Sequence, residues 1–211
     1  MLNRRTLLLA GIGVGSASGI VAQSDDSPAY KVGDRWTFVT NPPAVGGTGR
    51  YPEKIVAVDG SGIVVATSRR GTRVQLSFSR WMNPLDLHGK EIMQVRHPLS
   101  VGASWSYEFT TEAPDGRWHL DNTRKARVTA KEIINVPAGA FECFRIDVIG
   151  FWTDLKSTNP FGPNGGFEET SWYAPQAKRV VRHESRTTLR GSGRTETVAE
   201  RKTELTGFEI A

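Results

Sequence analysis

From Tyr30 onward this chain alternates. Apolar and polar residues exchange places at every second position, β-branched and aromatic residues are prominent, and Gly, Asn, Asp and Pro interrupt the pattern at short intervals. A period of two fits a strand with one buried face, whereas a helix needs a period near 3.6, and no long stretch here has it. The alternation predicts strands over 31–40, 54–59, 62–68, 73–79, 92–96, 104–112, 117–134, 140–152, 168–173, 179–189 and 194–208. Between them, Asp59-Gly60-Ser61-Gly62, Asp115-Gly116 and Gly191-Ser192-Gly193 supply residues that tolerate positive φ, as hairpins require. Short connections imply antiparallel neighbours. The expected fold is all-β: one strongly curled antiparallel sheet of roughly 10–12 strands, an unclosed or half β-barrel, because a sheet that wide curls, splits or closes. In Phe144-Arg145-Ile146-Asp147-Val148 the apolar set is Phe144, Ile146 and Val148, and the charged set is Arg145 and Asp147. One face of the sheet therefore packs on a core.

Cys143 is the only cysteine, so no intrachain disulfide can form and the core must hold the fold unaided. A buried, small apolar role suits it. An intermolecular bridge stays open in an oxidising compartment.

The first 22 residues are of another kind. Arg4 and Arg5 stand directly before a dilute apolar run from Leu7 to Ala22, and no acidic residue occurs before Asp25. That is the layout of a removable export signal, and the paired arginines suggest the twin-arginine machinery as its receptor. Asn3 and Leu9 depart from the usual twin-arginine pattern, so the general secretory route stays open. Ile20 and Ala22 place cleavage at Ala22–Gln23. An uncleaved anchor is the alternative, although 16 residues diluted by glycine and serine are short of the roughly 20 apolar ones that span a bilayer. The organisation is thus 1–22 export signal and 23–211 a single β-rich domain, with a periplasmic or secreted destination. Gly11-x-Gly13-x-Gly15 has no preceding strand and no βαβ unit after it, so it is not a dinucleotide fingerprint.

The chain carries 27 basic and 22 acidic residues. The basic ones are scattered among acids, as in Glu200-Arg201-Lys202, rather than gathered into a patch. No nucleic-acid partner is expected.

One short pattern occurs twice. Val32-Gly33-x-x-Trp36-Thr37-Phe38 returns as Val101-Gly102-x-x-Trp105-Ser106-Tyr107. In each, a Gly turn opens a strand and two aromatics two apart share one face. Equivalent strand starts, each anchoring a Trp in the core, follow from this, and a duplicated half-module is one origin for them.

With that pattern come His97-Pro98-Leu99, Val136-Pro137-Ala138-Gly139-Ala140-Phe141 and Trp172-Tyr173-Ala174-Pro175. Over residues 30–184 the chain resembles exported bacterial β-proteins of unknown function that carry VPAG-x-F and W-Y-A-P-x-x-G-x-V. These are associated with the unclosed half-barrel of the lipoprotein carriers LolA and LolB. The resemblance implies an apolar concave surface able to take acyl chains. Lys178 departs from it, standing where those proteins usually have Gly. Physically, Pro137 and Gly139 shape a tight turn before Phe141, and Pro175 closes the strand that carries Trp172. Gly33, Trp36, Gly102 and Trp105 complete this set of structural positions.

No catalytic or metal-binding signature is present. His88, His97, His119 and His183 show no ligand spacing, although His119 and Asp121 share a strand face. Glu168 and Glu169 are adjacent in a strand and point to opposite faces, which suits neither a paired acid and base nor a chelate. There is no G-x-S-x-G elbow and no phosphate-binding loop. No cofactor is implied. Of six tryptophans, Trp36 and Trp105 belong to the core, while Trp81, Trp152 and nearby Phe161 are candidates for contact with a ligand. Two Pro- and Gly-rich stretches, 41–47 and 159–166, are candidate rim loops. The sequence therefore points to an exported, non-catalytic binding module for an apolar or amphipathic ligand such as a lipid. The alternative is an envelope module that binds a protein partner through an exposed sheet edge or rim.

Overall fold

The computed structural model describes residues 29–42, 49–58, 63–69, 72–79, 82–113, 115–157, 163–191 and 194–211. The expected export signal, Trp81 and Phe161 lie outside them. Ten strands run in chain order: β1 (Arg35–Asn41), β2 (Arg50–Val58), β3 (Ile63–Arg69), β4 (Thr72–Phe78), β5 (Ser104–Glu112), β6 (His119–Val136), β7 (Gly139–Asp154), β8 (Asn164–Ala174), β9 (Arg179–Gly191) and β10 (Arg194–Glu209). A one-turn 3₁₀ helix, Pro175–Ala177, joins β8 to β9.

All ten strands form one antiparallel sheet in the order β4-β3-β2-β1-β10-β9-β8-β7-β6-β5. It does not close, and β4 and β5 are its edges. It curls back on itself far enough that Ile63, Val65 and Phe78 from one end share a hydrophobic cluster with Ile134, Val136 and Phe141 from the other. A second cluster joins Trp105 and Tyr107 of β5 to Ala126 and Val128 of β6 and to Ile146 and Val148 of β7.

Bulges explain why one strand serves both clusters. The register slips by one residue between Val128 and Ala130, and again between Trp172 and Tyr173. The extra residues lie on β6 and β9; β6 keeps its even-numbered side chains buried or half-buried throughout, and opposite its bulge β7 changes which alternate positions it buries. Ile146 and Val148 lie in the second cluster, while Phe141 and Cys143 beyond the slip lie in the first.

The predicted strand at 92–96 is not one. Residues 82–103 form an irregular strap between the two edge strands, and among the described residues its bridges are the isolated ones Phe78↔Pro84 and Leu85↔Glu91. Its buried residues Ile92, Val95 and Leu99 are spaced three and four apart, which no strand alternation could bury on one face. Asn83 staples the strap internally. Its amide donates to the Val95 carbonyl at 2.8 Å and to Glu91 at 2.6 Å, and its own oxygen accepts the Val95 N–H at 2.8 Å. Burial of Met82, Ile92, Val95 and Leu99 contributes at most about 6–12 kcal/mol, at about 1.5–3 kcal/mol each.

The repeated motif has one geometry. Gly33 and Gly102 take φ of +106° and +94°, where a side chain is strained. The Gly33 N–H donates to Ile55 O and the Ile55 N–H returns to Asp34 O; the Gly102 N–H donates to Val128 O and the Val128 N–H returns to Ala103 O. Each Trp indole then reaches a carbonyl at 2.7 Å, Trp36 that of Ala177 and Trp105 that of Met93. The Pro137–Ala138 turn joins β6 to β7 directly, with Val136 opposite Gly139, and Phe141 and Trp172 are buried beside it.

Candidate functional site

The strap does not fill the space beneath it completely. A cavity of about 220 Å³ remains between it and the sheet. Phe38 of β1 and Tyr51 of β2 form one wall, stacked with ring centroids 5.4 Å apart. Ser171 and Tyr173 of β8, Val180 and His183 of β9 and Thr203 of β10 form the floor, and Met82, Asn83, Gln94 and Val95 of the strap form the roof. Cross-strand register brings the floor together: Ser171 is opposite His183, and His183 is opposite Thr203. Directly opposed residues share a face.

Three ion pairs surround the cavity. Arg179 Nη2 donates to Glu53 Oε2 at 2.5 Å, and its Nη1 donates to Met82 O at 3.2 Å. The guanidinium carbon lies 5.6–6.0 Å from the ring centroids of Trp36, Phe38 and Phe78, an aromatic box around a buried cation. Burial alone would lower the pKa of Arg179, but Glu53 outweighs it and raises it. Lys178 Nζ donates to Asp34 at 3.1 Å and to Ala29 O at 2.7 Å. Asp34 is fully buried and also accepts N–H groups from Lys31 and Ala211, which together hold it below the usual carboxylate range against the effect of burial. Lys178 takes a left-handed φ of +55°, a conformation glycine adopts more readily.

The third pair is Glu169 with His183, 3.2 Å apart. Ser171 donates to Glu169 at 2.8 Å and lies 3.1 Å from His183 Nδ1. Burial opposes charge on both groups, yet their mutual hydrogen bond and attraction lower the pKa of Glu169 and raise that of His183. The trio has the residue types of a nucleophile, base and acid without their arrangement. One ring nitrogen of His183 meets both partners, and the Ser171 proton points to Glu169. A relay needs the hydroxyl and the carboxylate on opposite nitrogens of the imidazole.

Tyr30 and Tyr173 complete the lining. Tyr30 gives its proton to Lys178 O at 2.7 Å, and burial pushes its phenol up to about 12. Tyr173 is 3% exposed, burial raises its phenol further still, and its hydroxyl meets that of Tyr30. Nε of Arg179 has no hydrogen-bond partner.

Trp152 is half-buried and opposite Asn122 on β6, away from the cavity, with its indole N–H unpartnered. The structure therefore assembles its cavity from residues the sequence presented as architecture (Tyr173, Arg179) or as unconnected histidines (His183). Period two placed Glu169 opposite in face to Glu168, and the former is buried and the latter exposed. Nothing in the sequence tied Glu169 to His183, because their pairing depends on the β8–β9 register. His119 lies 3.9 Å from Glu112, and among the described residues no group of three potential metal ligands occurs. A larger open groove, about 680 Å³, is lined by Asp147, Glu168, Arg186 and Glu200, which alternate with the buried set and so face the other way. Its Arg145–Asp147 and Arg186–Glu200 pairs satisfy one another, as on a solvated face.

No family model matches the chain, and no curated protein matches it. Solved structures align with most of it. The hypothetical lipoprotein YmcC from Escherichia coli has a TM-score of 0.48 and 11% identity, covering 83% of this chain and 84% of that one. A "putative lipoprotein" from Parabacteroides distasonis has a TM-score of 0.46 and 13% identity, over 85% of this chain and 96% of that one. A "putative exported protein with YmcC-like fold" from Bacteroides fragilis scores 0.43 at 13% identity, over 85% and 97%. At these scores the likeness carries no functional information.

Proposed function

We propose that this chain is a non-catalytic binding module, exported to the periplasm or beyond, that takes a small amphipathic ligand, or one end of a lipid, beneath its strap. The observation that carries this is the 220 Å³ cavity, walled by Phe38, Tyr51, Met82 and Val180 and edged by Lys178 and Arg179. Its volume falls below the roughly 300–1,000 Å³ of sites that enclose a drug-sized molecule. It exceeds the roughly 150 Å³ engineered cavity that admits benzene. The destination rests on the leader sequence with Arg4 and Arg5. The non-catalytic reading rests on the absence of a recognisable motif and on His183 using one nitrogen for both of its partners. Native mass spectrometry of protein recovered from the periplasm, with solvent extraction, tests the reading. An adduct that disappears in Val180→Trp, which fills the cavity, is the expected result. A bare polypeptide mass together with unchanged thermal stability in Val180→Trp would count against it.

A second reading keeps the protein partner. β5 is an edge strand of nine residues without proline or bulge, and such an edge can accept a partner strand.

A further inference from the structure

We infer that the cavity selects an oxyanion, a carboxylate or phosphate group carried on a compact apolar body. This rests on the cavity reading above and specifies its ligand. The argument begins with which member of each ion pair meets the empty space. Lys178, Arg179 and His183 line the cavity; their carboxylate partners Asp34, Glu53 and Glu169 do not. Each carboxylate side chain is at most 8% exposed and stands behind its cation. A neutral set of pairs thus presents its basic side inward.

The exposed donors agree in kind. Lys178 and Arg179 bring N–H groups that can only donate a hydrogen bond, and both residues line the cavity. Hydrogen bonds from charged groups to an anion are the strong ones. An oxyanion beside them would be attracted, whereas an ammonium group would meet three basic neighbours. Around the polar end, Phe38, Tyr51, Met82 and Val180 offer an apolar wall for the rest of the ligand.

The test is calorimetric titration of the exported protein, recovered from the periplasm, with four probes of one shape: benzoate, phenyl phosphate, benzyl alcohol and benzylamine. At least one oxyanion is expected to bind tenfold or more tightly than the alcohol and the amine, and which oxyanion binds tighter separates a free carboxylic acid from a phosphate-bearing ligand. His183→Gln is the variant probe, with weaker oxyanion binding and unchanged benzyl alcohol binding expected. Equal binding of all four probes would overturn the oxyanion inference and leave the cavity reading standing. Binding of none of them would overturn both.

Discussion

Glu53→Leu probes the largest electrostatic commitment in the molecule. Glu53 is 6% exposed, and Arg179 Nη2 donates to it at 2.5 Å from within the Trp36–Phe38–Phe78 box. Removing the carboxylate strands a cation that has lost its water. Breaking a buried pair in this way costs about 3–5 kcal/mol. For a domain of this size each kcal/mol corresponds to about 2–4 °C, so the melting temperature should fall by about 6–20 °C. The aromatic contacts survive the substitution and keep the loss from being larger. The double variant Glu53→Leu/Arg179→Met removes the charge together with its partner and leaves a flexible thioether among three rings. It should melt at or above wild type, because replacing a whole buried pair by apolar groups is often neutral or stabilising. Differential scanning calorimetry of the four proteins in the cycle decides. A single variant melting within about 2 °C of wild type, on the scale just given, would refute the stranded-charge argument. A double variant as unstable as the single would show that packing, not charge, sets the loss.

Four further outcomes follow from the geometry. Trp105→Ala should destabilise by about 3–5 kcal/mol, since Trp105 is 6% exposed and its indole holds Met93 of the strap; urea denaturation checks it. Gly102→Ala, at φ +94° with open space around the new methyl group, should cost about 1–2 kcal/mol from the backbone alone; Gly33→Ala should cost more, because Ala211 Cβ stands 3.3 Å from the added atom, and chemical denaturation of both compares them. The raised pKa of His183 stabilises the fold fully below its unfolded value near 6.5, and that contribution is lost as pH rises through the folded value. The lowered pKa of Glu169 stabilises above its unfolded value and is lost as pH falls through the folded one. A melting profile from acid to mildly alkaline pH should therefore lose its alkaline decline in His183→Gln, and an identical decline in that variant would contradict the assignment. Cys143 is fully buried, with its thiol pushed up to about 12 by burial, so a thiol reagent should label it only on unfolding, and an intermolecular disulfide is closed to the folded chain.

Alternation made the fold legible because strands such as β1, β2, β5 and β6 bury every second residue. The 104–112 strand occurs as read, and the 194–208 strand differs by one residue at its end. The strand read at 92–96 failed for an identifiable reason. Ile92 and Val95 are apolar and β-branched, but the segment is held by Asn83 within the strap and by Trp105 of β5 through Met93, rather than by a neighbouring strand. The cavity was less legible still. Tyr173 stood inside a quoted motif and Arg179 just beyond it, and neither was read as a site residue, because their chemistry depends on burial and on partners 143 and 126 positions away. One sequence without relatives contains no record of such pairings.

The position of the last strand has a consequence for how the chain acquires its structure. β1 and β10 lie next to each other in the middle of the sheet, with Arg35 opposite Glu209 and Ala211 bonded to Asp34. Without residues 194–209, β1 to β4 and β5 to β9 are two meanders with no strand pairing between them among the described residues. The final strand is the keystone, and its pairing spans nearly the whole sequence. Contacts of such separation form late and slowly. Synthesis therefore holds the two halves as partners in waiting, and the molecule commits to one sheet only after its C-terminal strand is available.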